Sequence, residues 1–241
     1  SFSLIIFGYN AYNAIIDKDI DKINKPYRPL PMGVLTEKDA YLAAVLCYIG
    51  ALILAYIAGS LYFWITIPAI VLTILYSVPF LYLKKRLIFG TLSATILYTV
   101  IAPLLGWSLY SQNSEIVLYL IIFLFFLGLP KAILKDFVDI PGDEYHRIKS
   151  LPVFFGYSRS IGLVIFLYVL SGFFLISLIY ANVLPIYFLY ALVFYPGMIK
   201  NVLSLPQKKS KIGRDDSVFS KAMLFLICVE LVLSGIRIIV L

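Results

Sequence analysis

Residues 161–180 read Ile161-Gly-Leu-Val-Ile-Phe-Leu-Tyr-Val-Leu-Ser-Gly-Phe-Phe-Leu-Ile-Ser-Leu-Ile-Tyr180, a run of twenty with no charged side chain. A helix needs about 20 such residues to cross the hydrocarbon core of a bilayer. In lipid only helices and closed barrels satisfy every backbone polar group internally. This run is too long and too evenly apolar for the roughly ten-residue alternating strands of a barrel. It predicts a transmembrane helix, and with it an all-α fold.

The rest of the chain repeats the pattern. Of 241 residues, 62% are hydrophobic and 14% charged, against about 25% charged in a soluble domain. Eight membrane segments are expected: Ser1–Ile16, Ala40–Ile57, Leu61–Leu83, Ile88–Tyr110, Ile116–Leu134, Ile161–Tyr180, Leu184–Lys200 and Phe219–Leu241. Together they make one polytopic helical bundle, a single transmembrane domain over residues 1–241. The apolar run begins at Ser1 with no initiator Met or charged leader, which reads as a chain opening inside or before a helix and not as a signal peptide. Cys47 and Cys228 both fall within apolar runs and read as small core residues.

The connections alternate in character. Gly59–Ser60, Ser111–Ser114 and Ala181–Val183 are short and carry no Lys or Arg; Asp17–Asp39, Lys84–Leu87, Lys135–Ser160 and Asn201–Ser217 are rich in charge. With helix ends counted alongside their loops, every Lys and Arg except Arg237 collects on one face. Positive charge marks the cytoplasmic side. The expectation is a multi-pass protein of the cell membrane whose charged loops, and whose active site, face the cytoplasm. The net charge of +7 then belongs to a basic rim facing anionic membrane lipid and calls for no nucleic-acid partner.

Acidic residues stand on the same rim in two clusters. Asn13, Asp17 and Asp21 recur every fourth residue, an advance of about 40° per step on a helix of 3.6 residues per turn, so they form one stripe. Asp19 points elsewhere. Asp136, Asp139 and Asp143 share a face if the helix persists through Pro141 and Gly142. An Asp at the bilayer centre costs about 2.5–3.5 kcal/mol, less near the ends, and converging like charges add repulsion. A divalent cation relieves both. Hard oxygen ligands favour Mg²⁺, which completes its shell with substrate phosphate. The bland alternative, two solvated helix ends with local Asp–Lys pairs, accounts for one cluster more easily than for two on one face.

These residues resemble the UbiA family of intramembrane prenyltransferases. The first signature, an Asn followed by two Asp at four-residue spacing, is matched by Asn13, Asp17 and Asp21; Ala14 departs from the Asp often found after the Asn. The stretch Ile23-Asn24-Lys25-Pro26-Tyr27-Arg28-Pro29-Leu30-Pro31-Met32-Gly33 is similar to one shared by chlorophyll synthases and archaeal lipid prenyltransferases. Lys135-Asp136-Phe137-Val138-Asp139-Ile140-Pro141-Gly142-Asp143, with Lys149-Ser150-Leu151-Pro152-Val153, resembles the second Asp-rich motif and its tail, and Tyr76-Ser77-Val78-Pro79 with Lys84 and Lys85 resembles a third patch. The family typically has nine helices, so the first is expected to be missing from this chain.

The resemblance implies Mg²⁺-dependent transfer of a prenyl group from an isoprenoid diphosphate, geranyl to geranylgeranyl or longer, to a lipophilic or aromatic acceptor. Asp17, Asp21, Asp139 and Asp143, with Asn13 and Asp136, would hold the metal, and Asn13, Lys25, Arg28, Lys84 and Lys135 would bind the substrate. Tyr76 would either face the allylic cation with its ring or hydrogen-bond a phosphate. The loops after the two motifs are candidates for a cap that excludes water. Two rival readings stand: a cyclase of the same family, and an ion-coupled membrane transporter, which would carry its acidic groups nearer the midplane. His146 reads as a loop residue, Glu230 as an interhelical hydrogen-bonding group, Lys208, Lys209, Lys211 and Arg214 as a solvated or lipid-facing loop, and Pro196-Gly197 as a kink.

Overall fold

A computed structural model describes residues 1–110 and 114–204. Among these the chain is helical almost throughout: α1 Phe2–Ile16, α2 Lys18–Asn24, α3 Glu37–Ala58, α4 Ser60–Ser77, α5 Leu87–Ile96, α6 Ala102–Tyr110, α7 Ser114–Tyr145, α8 Leu151–Phe155, α9 Tyr157–Tyr180 and α10 Tyr195–Leu203. A π-helical turn, Leu97–Ile101, joins α5 to α6, and a 3-10 stretch, Ile186–Phe194, leads into α10. Six membrane-crossing stretches are long and apolar enough among the described residues, and α1 is a shorter apolar helix. The expected segment Phe219–Leu241, with Cys228, Glu230 and Arg237, lies outside the described residues, as do Lys208, Lys209, Lys211 and Arg214.

Local chemistry sets the element ends. Thr36 and Asp39 form a reciprocal capping box that starts α3: the Asp39 backbone N–H donates to Thr36 Oγ1 at 3.2 Å, and the Thr36 N–H donates to Asp39 Oδ2 at 3.0 Å. Gly59, at φ 135°, separates α3 from α4 in a conformation that side-chain-bearing residues avoid. Pro79 ends α4 at Ser77, six residues before the expected boundary at Leu83, because it holds Val78 extended at φ −60° and ψ 131°. Pro103, which lacks an N–H, follows the π-helical turn.

The largest departure from expectation is α7. The sequence places a helix end at Leu134 and a connection over Lys135–Ser160; the helix instead continues to Tyr145 with Pro130 and Pro141 inside it, and α8 and the start of α9 fill the remainder. Hydropathy stops where charge begins, but backbone hydrogen bonding does not.

Two apolar cores result. One joins α1, α3, α4 and the α5–α6 helix through Ile5, Ala51, Ala55, Ala69, Ile70, Leu97 and Leu105. The other joins α7 to α10 through Phe123, Leu127, Phe137, Val164, Tyr168, Leu175 and Met198. Small residues permit close packing, as in membrane helix pairs generally: a Cβ on Gly8 would come within 3.0 Å of the Tyr48 ring. The halves meet where α2 and α5 lie against α7. At this end the backbones of Arg86 and Lys149 pair as an isolated parallel bridge, tying the connection after α4 to the one after α7.

Candidate active site

The two acidic stripes converge at that junction. α1 yields to α2 at Asp17, but the helical path barely breaks: Asp17 N–H donates to Asn13 O at 2.9 Å and Asp21 N–H to Asp17 O at 2.7 Å. Asn13, Asp17 and Asp21 thus stay on one side. Asp19 faces solvent and pairs with Lys22 at 2.8 Å. Asp139 and Asp143 project from α7 one turn apart, because the helix survives Pro141. Asp17, Asp21, Asp139 and Asp143 are each no more than 4% exposed.

Burying four carboxylates requires partners, and each stripe has them. Asp17 receives hydrogen bonds from Asn13 Nδ2 at 2.7 Å and the Tyr82 hydroxyl at 3.0 Å, together with an ion pair from Lys84. Asn13 is itself oriented by Ser77 Oγ, which donates to its Oδ1 at 3.1 Å. Arg28 pairs with Asp21 at 2.6 Å, and Lys25 pairs with Asp139 across the interface from α2 to α7. Oδ1 of Asp143 is buried with no well-formed hydrogen bond, although the Ser150 hydroxyl stands next to it.

The charges outside the membrane-spanning helices reflect this crowding. Burial pushes the Asp21 carboxyl above its usual range in spite of Arg28. For Lys84 burial works against the ammonium, but Asp17, Tyr76 and Asp139 together outweigh it and the pKa rises. Burial, reinforced by Asp17, likewise raises the Tyr82 phenol. Lys84 lies between the stripes: its charge acts on Asp17 and also on Asp136, Asp139 and Asp143.

Beside the stripes is a cavity of about 470 Å³, lined by Tyr9, Asn10 and Asn13 of α1, by Lys25, Tyr27 and Arg28, by Ala94 and Tyr98, and by Lys135 and Val138 of α7. Its charged lining is entirely basic. A narrow slot bounded by Leu72, Thr73, Tyr76 and Leu97 shares Tyr9, Ala94 and Tyr98 with it. Tyr76 is buried edge-on to Tyr9 with ring centroids 5.5 Å apart, and Lys135 Nζ lies 3.4 Å from its hydroxyl and 5.8 Å from its ring centroid. Asp136 is half-buried, with the Thr91 hydroxyl 3.4 Å from its Oδ2.

The structure therefore gathers Asn13, Asp17, Asp21, Lys25, Arg28, Lys84, Asp139 and Asp143 at one junction, with Lys135 in the cavity wall, Tyr76 in the adjoining slot and Asp136 beside Thr91. Among the described residues, no three Asp, Glu, His or Cys side chains stand close enough to form a ready-made metal cage. The donor set still fits a hard cation: buried carboxylate oxygens and one amide oxygen, one carboxylate oxygen lacking a good partner, and ammonium groups paired to the carboxylates. Sequence reasoning assigned no role to Tyr82 or Tyr9, nor to Ser77 and Asn24 although both fall inside the quoted motif stretches; their roles follow from contacts 64 or more residues distant in sequence. Nothing in their spacing marks them out.

Comparison with known proteins follows the same lines. The UbiA prenyltransferase family model matches residues 1–227. The chain is 33% identical over 162 residues to digeranylgeranylglyceryl phosphate synthase of Pyrococcus horikoshii, a match covering 66% of this chain and 57% of that protein. It is 32% identical over 160 residues to chloroplastic chlorophyll synthase of Arabidopsis thaliana, covering 62% and 41% respectively. The chain thus spans about half the length of these relatives. A UbiA homolog from Archaeoglobus fulgidus, solved with GPP and Mg²⁺, shares the fold with a TM-score of 0.67 at 20% identity, over 97% of this chain and 87% of that one.

Proposed function

The chain belongs to the UbiA prenyltransferase family, and from that premise we propose that it transfers a prenyl group from an isoprenoid diphosphate to a lipophilic acceptor inside the membrane. One observation carries the proposal: two aspartate stripes, paired with lysine and arginine side chains, meet at one end of the bundle beside a cavity whose charged lining is Lys25, Arg28 and Lys135. The multi-pass architecture supplies the apolar surroundings an isoprenoid tail needs. By the distribution of Lys and Arg, this end faces the cytoplasm of a cell membrane.

Asp17, Asp21, Asp139 and Asp143, with Asn13 and Asp136, are the residues that would hold Mg²⁺; the Thr91 hydroxyl stands 3.4 Å from Asp136. The ion when bound supplies Lewis-acid neutralisation of the departing diphosphate. The remaining work falls to the protein's own cations. Lys25, Arg28 and Lys84 now neutralise Asp139, Asp21 and Asp17. Substrate phosphate oxygens would draw these ammonium and guanidinium groups toward themselves and leave Asp139, Asp21 and Asp17 able to hold the ion. Such charge-assisted bonds strengthen as negative charge grows on the leaving group, so they favour the transition state over the ground state.

Lys135 faces the basic cavity and orients Tyr76. Tyr9, Tyr76 and Tyr98 present aromatic surface where the cavity narrows, suited to an allylic fragment with cation character and to the start of the prenyl chain. Relatives of the chain include a digeranylgeranylglyceryl phosphate synthase and a chlorophyll synthase. Of these the lipid acceptor suits the basic lining better, because Lys25, Arg28 and Lys135 surround the cavity without an acidic side chain in its wall.

The test is to incubate detergent-purified protein with radiolabelled geranylgeranyl diphosphate, Mg²⁺ and a panel of acceptors that includes geranylgeranylglyceryl phosphate. Labelled product that depends on acceptor is expected. Product formed equally without any acceptor would indicate a cyclase, and no consumption of diphosphate would overturn the proposal.

A further inference from the structure

The seven-residue helix α2 carries Asp21 and delivers Lys25 and Arg28, yet it buries little apolar surface: its buried residues are Ile20, Asp21 and Asn24. What fixes it against α7 is a side-chain amide. Asn24 Nδ2 donates to the backbone carbonyl of Asp139 at 3.0 Å, and Asn24 Oδ1 accepts from the backbone N–H of Gly142 at 2.7 Å. The two groups it grips bracket the turn of α7 that presents Asp139 and Asp143. Pro141 lies between them; it supplies no N–H to the Phe137 carbonyl and so disturbs the regular helical ladder in this turn.

Gly142 completes the fit. A Cβ at that position would stand 2.6–2.7 Å from three atoms of the Asn24 amide, so only glycine lets α2 approach this closely. The next residue, Lys25, pairs with the Asp139 carboxylate, but an ion pair of that kind must yield when phosphate arrives. The neutral amide, 5% exposed, has no phosphate to turn to and holds its two bonds throughout.

We propose that Asn24 is a positioning residue: its amide clamps α2 to the Pro141–Gly142 turn of α7 and so sets the separation of the two aspartate stripes. The proposal rests on the functional reading above, in that the stripes share a divalent cation. Outer partners of ligating side chains typically cost about 10–100-fold in metal affinity when removed, and the clamp is expected to behave in that range.

The full chain in detergent is titrated with Mn²⁺, in the presence of geranyl diphosphate, and bound metal is followed by electron paramagnetic resonance. The wild type is compared with Asn24→Ala, Gly142→Ala and the double variant, with thermal midpoints recorded in parallel. Asn24→Ala is expected to raise the Mn²⁺ Kd about tenfold or more while still eluting as a monodisperse protein. Gly142→Ala is expected to weaken binding too, and the double variant to bind no worse than Gly142→Ala alone, since its clash is gone. Wild-type affinity in Asn24→Ala, or losses that simply multiply in the double variant, would overturn the clamp. If Gly142→Ala does not fold, Asn24→Ala decides alone. Wild-type protein that binds Mn²⁺ yet transfers no prenyl group overturns the functional reading and leaves the clamp standing; wild-type protein that binds no Mn²⁺ overturns both.

Discussion

At the residue scale the site is a problem in charge compensation. Asp17 is 1% exposed and holds Asn13, Tyr82 and Lys84. Removing one member of such a buried pair costs about 3–5 kcal/mol, largely because the partner is left charged and dry. Asp17→Ala should therefore lower the thermal midpoint as well as activity, and Asp17→Ala/Lys84→Met should recover much of the midpoint with no turnover, as read by thermal unfolding in detergent beside a transfer assay. Midpoints that fail to recover would mean that Lys84 is not held by Asp17. Asp139→Asn is gentler, since an amide accepts from Lys25 without strain. It should keep the fold and lose at least about a hundredfold in turnover, the scale of a removed electrostatic stabiliser.

At the element scale two departures from the regular α-helix lie near the cavity. The π-helical turn Leu97–Ile101 carries Tyr98 to the cavity wall and brings Thr99 against α7, where a Cβ on Gly128 would lie 2.4 Å from Thr99 Cγ2. Thr99 cannot swing away freely, because its hydroxyl is tied to Thr95 O at 2.8 Å and a β-branched side chain is stiff about χ1. Gly128→Ala is predicted to destabilise by about 1–3 kcal/mol, and Thr99→Ala in the same chain to relieve it. A stable single variant would show that the two helices can part without cost. Pro141 plays the corresponding part at the far end of α7, where the loosened ladder accepts Asn24.

At the scale of the molecule, two apolar cores meet at a polar junction that already carries its own counter-ions. On the proposed reading, Mg²⁺ added alone would have to displace Lys25, Arg28 and Lys84 from their carboxylates with nothing to receive them, whereas diphosphate would supply the acceptors. Ligand-linked stabilisation follows binding to the folded state, so the thermal midpoint should rise by several degrees with Mg²⁺ and geranyl diphosphate together and change little with either alone. EDTA should remove both the shift and the transfer activity, and Mg²⁺ in excess should restore them. A full shift with Mg²⁺ alone would mean that the carboxylates reorganise without substrate.

Composition and hydropathy were enough to determine a helical membrane protein, because burial of backbone in lipid leaves so few alternatives, and four-residue spacing was enough to align Asn13, Asp17 and Asp21. The same local signals stopped α7 short at Leu134, since hydropathy reports only where apolar side chains end, whereas Asp136, Asp139 and Asp143 are carried by a helix that outlasts them. Which lysine neutralises which aspartate, that Tyr82 and Ser77 anchor the first stripe, and that Asn24 needs a glycine at 142 were decided by tertiary structure alone. Those contacts join residues 64 to 118 positions apart, and their energy depends on distances that exist only once the two halves have closed on each other.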